Sequence, residues 1–432
     1  MVTFLRSLQR QGMPNAEWVL AILLFVVTAR TGYLVNTHHL STMLTHGSDP
    51  WGYYQFLPAL FGTHDWSMLP WTHHLENGKG LSMFTIGVAL MQLPFFLIGA
   101  SWAALSGQTA DGYSHPFAIM HFIGAAYYLA AGCHLLFHAL RRLVGRPLAL
   151  LTPMLLYGAT NLFFYSTWQP GMSHVYAFFL FAGLLYLTLR MLARPTPGAL
   201  FLLIVCGGMV VLIRQLNIIA LLLPLFLGSA RPWEALRIRL GWLRAHPIAA
   251  GAGVLVVALL FVPQFLYWKH ITGEWFVFTY GKKGEGFNWT EPHLLDVLLS
   301  HQNGWFIYTP LMAITMVALL IGALRGLPHM RLVLLTWVLA WYIYASWWSW
   351  WLGGSFGHRG FIEYYAFLAI PLAVGLKWLW SHGPRWRWLS YLPLYLLVFI
   401  NIRLSKLYIW PWEGPDWNWD RLIEVWLEIP SF

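Results

Sequence analysis

Charged residues are scarce in this chain: Asp, Glu, Lys and Arg together make up 10% of its 432 residues. A typical soluble protein carries about 25% charged residues. Hydrophobic residues make up 58%, and the mean hydropathy is +0.58. This composition excludes an ordinary soluble protein and predicts an integral membrane protein. The net charge of +10 does not indicate nucleic-acid binding, because the basic residues lie where membrane topology accounts for them.

Cysteine and the common nucleotide-binding and hydrolase motifs are scarce as well. The two cysteines, Cys133 and Cys206, lie inside apolar runs, which favours small core residues over a disulfide. The sequence has no P-loop, and no GxSxG or GxGxxG stretch follows a strand pattern, so nucleotide-driven transport and serine hydrolysis lack support. The 18 histidines include doublets but no HExxH spacing. We therefore expect no cofactor, and a divalent metal site is the disfavoured alternative.

Long apolar runs are what the sequence has in abundance, and they predict an all-α fold. They fall at Trp18–Val35, Leu81–Leu105, Phe117–Leu140, Pro147–Thr167, Ser173–Leu192, Ala199–Gly228, Ile248–Trp268, Trp305–Leu324, Leu332–Trp348, Phe361–Trp380 and Leu389–Ile409. Runs of this length predict a polytopic transmembrane helical bundle of about 9–11 spans. We expect one domain, 1–432. The first run follows a basic segment and predicts an uncleaved signal anchor with a cytoplasmic N-terminus.

The positive-inside rule constrains the second run, Leu81–Leu105. If every run crossed once, Arg141, Arg142 and Arg146 would lie outside, against the rule. The conflict disappears if this run lies in the interface or dips in and returns, and its glycines and proline favour a broken helix. We therefore predict a long first external loop, 36–116, that carries interfacial helices.

A second unusual run, Ala199–Gly228, is too long for one span and carries Arg214 near its middle. Two half-length helices that meet near Arg214 would return the chain to the cytoplasm without a full crossing. The remaining external segments are then the loop 269–304 and a short C-terminal tail, 410–432.

Asp49 is the candidate catalytic residue. It opens the first external loop, where a carboxylate suits a general base at the outer membrane surface. The alternative is structural: Ser48 or Asp49 is a natural N-cap for a helix that begins at Pro50. A cap also orients its carboxylate, so the two roles are compatible.

Cations outside the membrane run against the positive-inside rule and need another explanation. Arg214, Arg359, Lys79 and Lys283 are candidates for binding an anionic phosphate. The alternative for Arg214 is a structural role, in which it would pair with a backbone carbonyl and only hold helices together. The alternative for Lys283 is that it is a solvated residue of a Gly-rich turn. The further candidates, for substrate binding, are Tyr53, Tyr54, His74 and Glu363.

Several short stretches carry a resemblance to a known family. They are Asp49-Pro50-Trp51-Gly52-Tyr53-Tyr54, Gly78-Lys79-Gly80, Gly112-Tyr113-Ser114, Ser173-His174, Ile213-Arg214-Gln215-Leu216-Asn217, Gly304-Trp305-Phe306 and Gly353-Gly354-Ser355-Phe356-Gly357-His358-Arg359. By their order and spacing, over residues 40 to about 375, the chain resembles the GT-C superfamily of integral-membrane glycosyltransferases, which use polyprenyl-phosphate sugars. More narrowly, it is similar to bacterial members related to protein O-mannosyltransferases and lipid A aminoarabinose transferases.

The resemblance implies a GT-C fold in which an acidic residue of the first external loop, here Asp49, is the catalytic base. It also implies helices that lie along the membrane in that loop. Two departures matter. Pro50 stands where many members have a second acidic residue, which weakens a metal-dependent mechanism. The short tail Trp410–Phe432 stands where many have a large soluble domain, so the usual means of holding a large acceptor is missing.

Together these features predict an inverting glycosyltransferase of the bacterial inner membrane, with its active site on the periplasmic side. It would move a sugar from a polyprenyl-phosphate donor to a hydroxyl of a lipid, glycan or protein. One alternative is a lipid or small-molecule transporter, which would show repeated halves and charges near the midplane of several helices. Another is a glycan ligase or polymerase with a pyrophosphate-linked donor, which the large first loop carrying Asp49 disfavours.

Overall fold

The computed structural model describes residues 15–40, 44, 49–408 and 412–428. The described chain is an α-helical bundle, which confirms the predicted all-α fold. Its strands are one antiparallel pair, β1 (His73–His74) and β2 (Gly80–Leu81), in which His73 lies opposite Leu81. The part of the first loop around Ser48 lies outside the described residues.

The helices follow the apolar runs closely. In chain order they are α1 (Ala16–Asn36), α2 (Asp49–Tyr54), α3 (Phe56–Leu60), α4 (Gly87–Leu105), α5 (His115–Val144), α6 (Arg146–Gly158), α7 (Leu162–Thr167), α8 (Ser173–Ala193), α9 (Pro197–Ile213), α10 (Leu222–Phe226), α11 (Pro232–Ala245), α12 (Pro247–Thr272), α13 (Thr279–Lys282), α14 (Asp296–Leu299), α15 (Trp305–Tyr308), α16 (Pro310–Leu324), α17 (Met330–Ser346), α18 (Tyr365–Ser381), α19 (Pro384–Leu407) and α20 (Trp419–Leu427), with 3-10 helices at Gln215–Leu221 and Arg359–Phe361. Proline often lies in the first turn, as at Pro116, Pro197 and Pro247, where its missing N–H costs no helical hydrogen bond.

Six helices in the described part of the chain are long and apolar enough to cross a membrane: α1, α4, α5, α8, α12 and α19. Shorter apolar helices are α9, α16, α17 and α18, and a further one covers residues 215–226. The chain is thus a polytopic membrane protein by length and composition of its helices. The number of spans, 9–11, stays a prediction.

Helix α5 is the long central helix of the bundle, and α1 runs antiparallel to it. Trp18 near the start of α1 contacts His134, with ring centroids 4.2 Å apart. Arg146, just past the end of α5, donates to Glu17 in a 2.9 Å ion pair. The end of α5, with its arginines, therefore lies beside the beginning of α1, which agrees with a shared cytoplasmic side.

The run predicted as a broken helix is one continuous helix, α4, so that prediction was wrong. Pro94 lies inside it without interrupting it. Helix α4 packs antiparallel against only the first half of α5: Gly99 lies against Phe117, and Tyr128 donates to the carbonyl of Met91. Past Tyr128, α5 continues for about 16 residues, or about 24 Å. Helix α4 therefore begins well short of the arginine end of α5. That α4 does not cross the membrane stays a prediction.

The predicted interruption at Arg214 is present. Helix α9 ends at Ile213, and Arg214 is extended, with φ −152° and ψ 122°. The second half-length helix consists of the 3-10 helix at Gln215–Leu221 followed by the short α10. It runs back along the bundle, since Gly228 lies against Leu192 near the end of α8. The chain thus turns at Arg214 and returns to the end from which α9 started.

Candidate active site

A cavity of about 490 Å³ opens where several loops meet the starts of helices. It is lined by the beginning of α2, the segment 83–85, the first residues of α8 and the turn at Arg214. Segments 278–287 and 344–359 close the other side. Residues far apart in the sequence therefore share one small space, and five of the predicted site residues line it: Asp49, Tyr53, Arg214, Lys283 and Arg359.

Asp49 and Arg359 form an ion pair at the cavity wall. Asp49 is the first residue of α2, and Arg359 begins a 3-10 helix. The Nη2 of Arg359 donates to Oδ2 of Asp49 at 2.8 Å. The side chains are 34% and 18% exposed, so both remain accessible. Oδ1 of Asp49 makes no hydrogen bond with the described residues and is available to another group.

Arg214 pairs with Glu363, a carboxylate that is fully buried beneath the cavity. Nη1 of Arg214 donates to Oε1 of Glu363 at 3.0 Å, and Nδ1 of His174 contacts Oε2 at 3.2 Å. Glu363 is 0% exposed, whereas Arg214 is 22% exposed. The alternative that Arg214 pairs with a backbone carbonyl is therefore not what the structure shows. Because Glu363 is buried and contacts both side chains, it fixes the orientation of the Arg214 guanidinium and of the His174 imidazole.

Lys283 lines the cavity from the Gly-rich turn and contacts Glu285 at 2.5 Å. Its neighbour Lys282 points to Glu274 instead, at 3.1 Å. Lys283 is therefore the lysine of the two that can meet a cavity ligand, and its side chain is half-exposed.

Three tyrosines line the cavity: Tyr53, Tyr280 and Tyr344. The hydroxyl of Tyr53 donates to Oγ of Ser173 at 3.2 Å. Burial raises the pKa of Tyr53 and that of Tyr280 above the ordinary value, despite the opposing charges of Arg214 and Arg359. Both hydroxyls therefore keep their protons at neutral pH and act as neutral hydrogen-bonding groups.

Solved structures with the same arrangement of helices belong to membrane glycosyltransferases. No protein-family model matches the chain, and no curated protein matches it. ArnT from Cupriavidus metallidurans, bound to undecaprenyl phosphate, superposes with a TM-score of 0.54 at 14% identity, over 91% of this chain and 65% of ArnT. The oligosaccharyltransferase AglB from Archaeoglobus fulgidus, in complex with an inhibitory peptide and a dolichol-phosphate, gives 0.50 at 13%, over 95% and 60%. The chain has the GT-C fold.

The GT-C fold prediction is thus confirmed, and the likeness concerns the fold alone. The chain spans about 60 to 65% of the length of the two proteins it matches. At 13 to 14% identity, the roles of individual residues do not transfer, because a shared fold supports many chemistries.

Three of the predicted site residues lie away from the cavity. Tyr54 is buried and donates to the carbonyl of Gly112 at 2.5 Å. Nζ of Lys79 donates to the carbonyl of His270 at 2.5 Å. His74 belongs to β1 and does not line the cavity. Tyr54 is therefore part of the packing, and Lys79 joins the first loop to the end of α12.

His174, like Tyr280, lines the cavity although the sequence reasoning did not single it out. It appeared only within the Ser173-His174 stretch, although it begins an apolar helix and contacts Glu363. The signal in the sequence for this site residue was the polar pair Ser173-His174 at the start of an apolar run.

Among the described residues, no cluster of three or more His, Cys, Asp or Glu side chains could hold a metal ion.

Proposed function

We propose that this protein is an inverting glycosyltransferase that moves a sugar from a polyprenyl-phosphate donor to a hydroxyl acceptor. The observation that carries the proposal is the accessible carboxylate of Asp49, held by Arg359 on a cavity that Arg214 also lines. A base and two guanidinium groups around one space are what this reaction needs, namely a proton acceptor and a site for an anionic leaving group.

Asp49 is the general base in this proposal. Its Oδ2 accepts from Arg359, which fixes the carboxylate and leaves Oδ1 to accept the proton of the acceptor hydroxyl. The acceptor oxygen attacks the anomeric carbon and forms the new glycosidic bond. The bond between that carbon and the phosphate oxygen breaks, its electron pair leaves with the polyprenyl phosphate, and the proton passes to Asp49.

The leaving phosphate is the ligand of the two arginines. Each guanidinium has five N–H donors and uses one end on a carboxylate, so others remain for phosphate oxygens. Lys283 adds a further positive charge at the cavity. Cations placed where negative charge develops stabilise the transition state.

A lipid-linked donor accounts for the lack of a nucleotide-binding motif, because activation of the sugar takes place elsewhere. Both ArnT and AglB, which have the same fold, were solved with polyprenyl-type phosphates. We place the protein in the bacterial inner membrane with the cavity on the periplasmic side and the N-terminus in the cytoplasm. The acceptor class, whether lipid, glycan or protein, is open.

The test is Asp49→Asn in purified protein, with the donor identified first by mass spectrometry of lipid-linked sugars that accumulate in cells lacking the gene. Asparagine keeps the shape of the side chain but cannot take a proton. We expect sugar transfer to fall by about 100- to 10,000-fold with an unchanged melting temperature. Asp65→Asn, in the same loop but hydrogen-bonded to Ser67, is the matched control and should transfer normally. A folded Asp49→Asn with wild-type transfer would rule out the base.

A further inference from the structure

The charges around the cavity cancel in the described part of the chain. Three cations each lie within 3.0 Å of a carboxylate, in the pairs Arg359 with Asp49, Arg214 with Glu363 and Lys283 with Glu285. An incoming phosphate therefore meets guanidinium groups whose charges are already balanced. Binding an anion in such a site without a further positive charge is costly, since part of the cavity is shielded from water.

His174 is the remaining group on the cavity that can supply this charge. A carboxylate only accepts hydrogen bonds, so Nδ1 of His174 carries the proton that it donates to Glu363. Nε2 makes no hydrogen bond with the described residues, while the imidazole lines the cavity. In the neutral ring, Nε2 presents a lone pair, which repels a phosphate oxygen. In the imidazolium, the same atom presents an N–H donor.

We propose that His174 takes up a proton when the anionic donor binds, and that its Nε2–H then donates to the donor phosphate. This inference rests on the proposed function, because it concerns the phosphate site of that reaction. It adds a phosphate-binding residue and makes proton uptake an obligatory part of donor binding.

The surroundings of His174 favour this coupling. The groups that face it are Glu363 and Arg359 from the segment before α18, Arg214 after α9, Tyr165 of α7 with ring centroids 5.2 Å apart, and Tyr53 through Ser173. In the free protein burial disfavours the imidazolium, Glu363 favours it, and the two guanidinium charges oppose it. A phosphate bound to the arginines offsets their charge, so the balance shifts toward the imidazolium.

The experiment is isothermal titration calorimetry of the full-length protein in detergent, with farnesyl methyl phosphate as the probe. This phosphodiester carries one negative charge that does not titrate near neutral pH, so any proton exchanged belongs to the protein. Titrations in buffers of different ionisation enthalpy give the number of protons taken up per bound lipid. For the wild type we expect a net uptake approaching one proton, and tighter binding at lower pH. The dissociation constant should rise by up to about tenfold per pH unit within the range of about pH 5 to 8.

Three variants assign the proton. His174→Gln keeps a donor for Glu363 but cannot be protonated, so its binding should be weaker and show no proton uptake. His74 is a histidine of β1 that lies away from the cavity. His74→Gln should therefore bind the phosphodiester and take up protons like the wild type. Asp49→Asn removes a carboxylate and leaves the charge of Arg359 unbalanced, so its binding should be tighter and its proton uptake smaller than in the wild type.

The outcomes separate the two proposals. Binding without proton uptake in the wild type would overturn the role of His174 and leave the phosphate site intact. The same holds if uptake persists undiminished in His174→Gln. If the wild type does not bind the phosphodiester at all, the proposed function fails, and this inference fails with it.

Discussion

Arg359 and Arg214 each do two things at the cavity, because a guanidinium is planar and has several donors. Each holds a carboxylate with one nitrogen, Nη2 to Asp49 and Nη1 to Glu363. Each also faces the cavity with the rest of the group. An ammonium group is a point charge on a flexible stem and cannot fix a carboxylate and a phosphate in one plane. The chemistry of the site therefore depends on arginine and not on charge alone.

We therefore expect Arg359→Lys and Arg214→Lys each to lower sugar transfer from a polyprenyl-phosphate donor by about 100- to 1,000-fold, the usual cost of losing one donor to developing charge. Steady-state kinetics should show the loss mainly in kcat for Arg359, which also positions Asp49. Arg421→Lys keeps an exposed pair with Glu424 and serves as the control with wild-type rates. Normal turnover by both cavity variants would mean that neither arginine acts on the phosphate.

The sequence could point to Asp49, Arg214 and Arg359 because charges in a membrane chain need a reason. It could not choose between Tyr53 and Tyr54. Successive residues on a helix point about 100° apart, and the sequence does not show in which of these directions the cavity lies. Nor could the sequence show which carboxylate meets which arginine, since those pairs form between distant segments.

At the scale of elements, the end of α9 is set by the loop that precedes α4. The hydroxyl of Thr85 donates to the carbonyl of Ile213 at 2.9 Å. Gly87 lies so close to the same turn that an added Cβ would be 2.6 Å from the nitrogen of Ile213. This contact replaces hydrogen bonds that a continued helix would make. The first external loop therefore holds Arg214 in its extended conformation, facing the cavity.

Gly87→Ala tests this contact. The added methyl group meets backbone and not a flexible side chain, so we expect a loss of about 1–3 kcal/mol in the free energy of unfolding, together with a displaced Arg214 and weaker donor binding. A thermal melt and a transfer assay measure the two effects. Gly251→Ala lies in the interior of α12 with open space around it and should be as stable as the wild type or more so. Wild-type behaviour of Gly87→Ala would show that the turn tolerates displacement.

Helix positions were largely predictable, whereas the break at Arg214 is the one helix break that the sequence predicted correctly. The run Ser173–Leu192 became α8 with nearly the same bounds, because apolar length alone decides it. The run Pro147–Thr167 instead divides into α6 and α7. Asn161 lies at the division, where its amide contacts the carbonyl of Phe356 and the hydroxyl of Tyr365. Such breaks depend on tertiary partners, which hydropathy does not report.

At the scale of the whole molecule, the two ends of the bundle differ in what they carry. The arginines at the end of α5 lie beside the start of α1, whereas the cavity is built from the starts of α2 and α8 and from the turn after α9. The positive-inside rule predicts that the arginine end faces the cytoplasm, in which case the cavity end faces outside. A base that serves a lipid-linked donor at the outer surface fits this polarity.

The topology prediction is that α4 does not carry the chain across the membrane, because it packs along only the outer half of α5. Single cysteines replacing Glu76 and Thr109, exposed residues on the two sides of α4, should therefore both react with an impermeant thiol reagent added from outside. The native Cys133 and Cys206 are buried and should not contribute. A cysteine replacing Arg237 on the basic helix α11 should react only after the membrane is permeabilised. If Glu76→Cys and Thr109→Cys differ in labelling, α4 crosses the membrane, and the cavity and the arginine end would have to be reassigned.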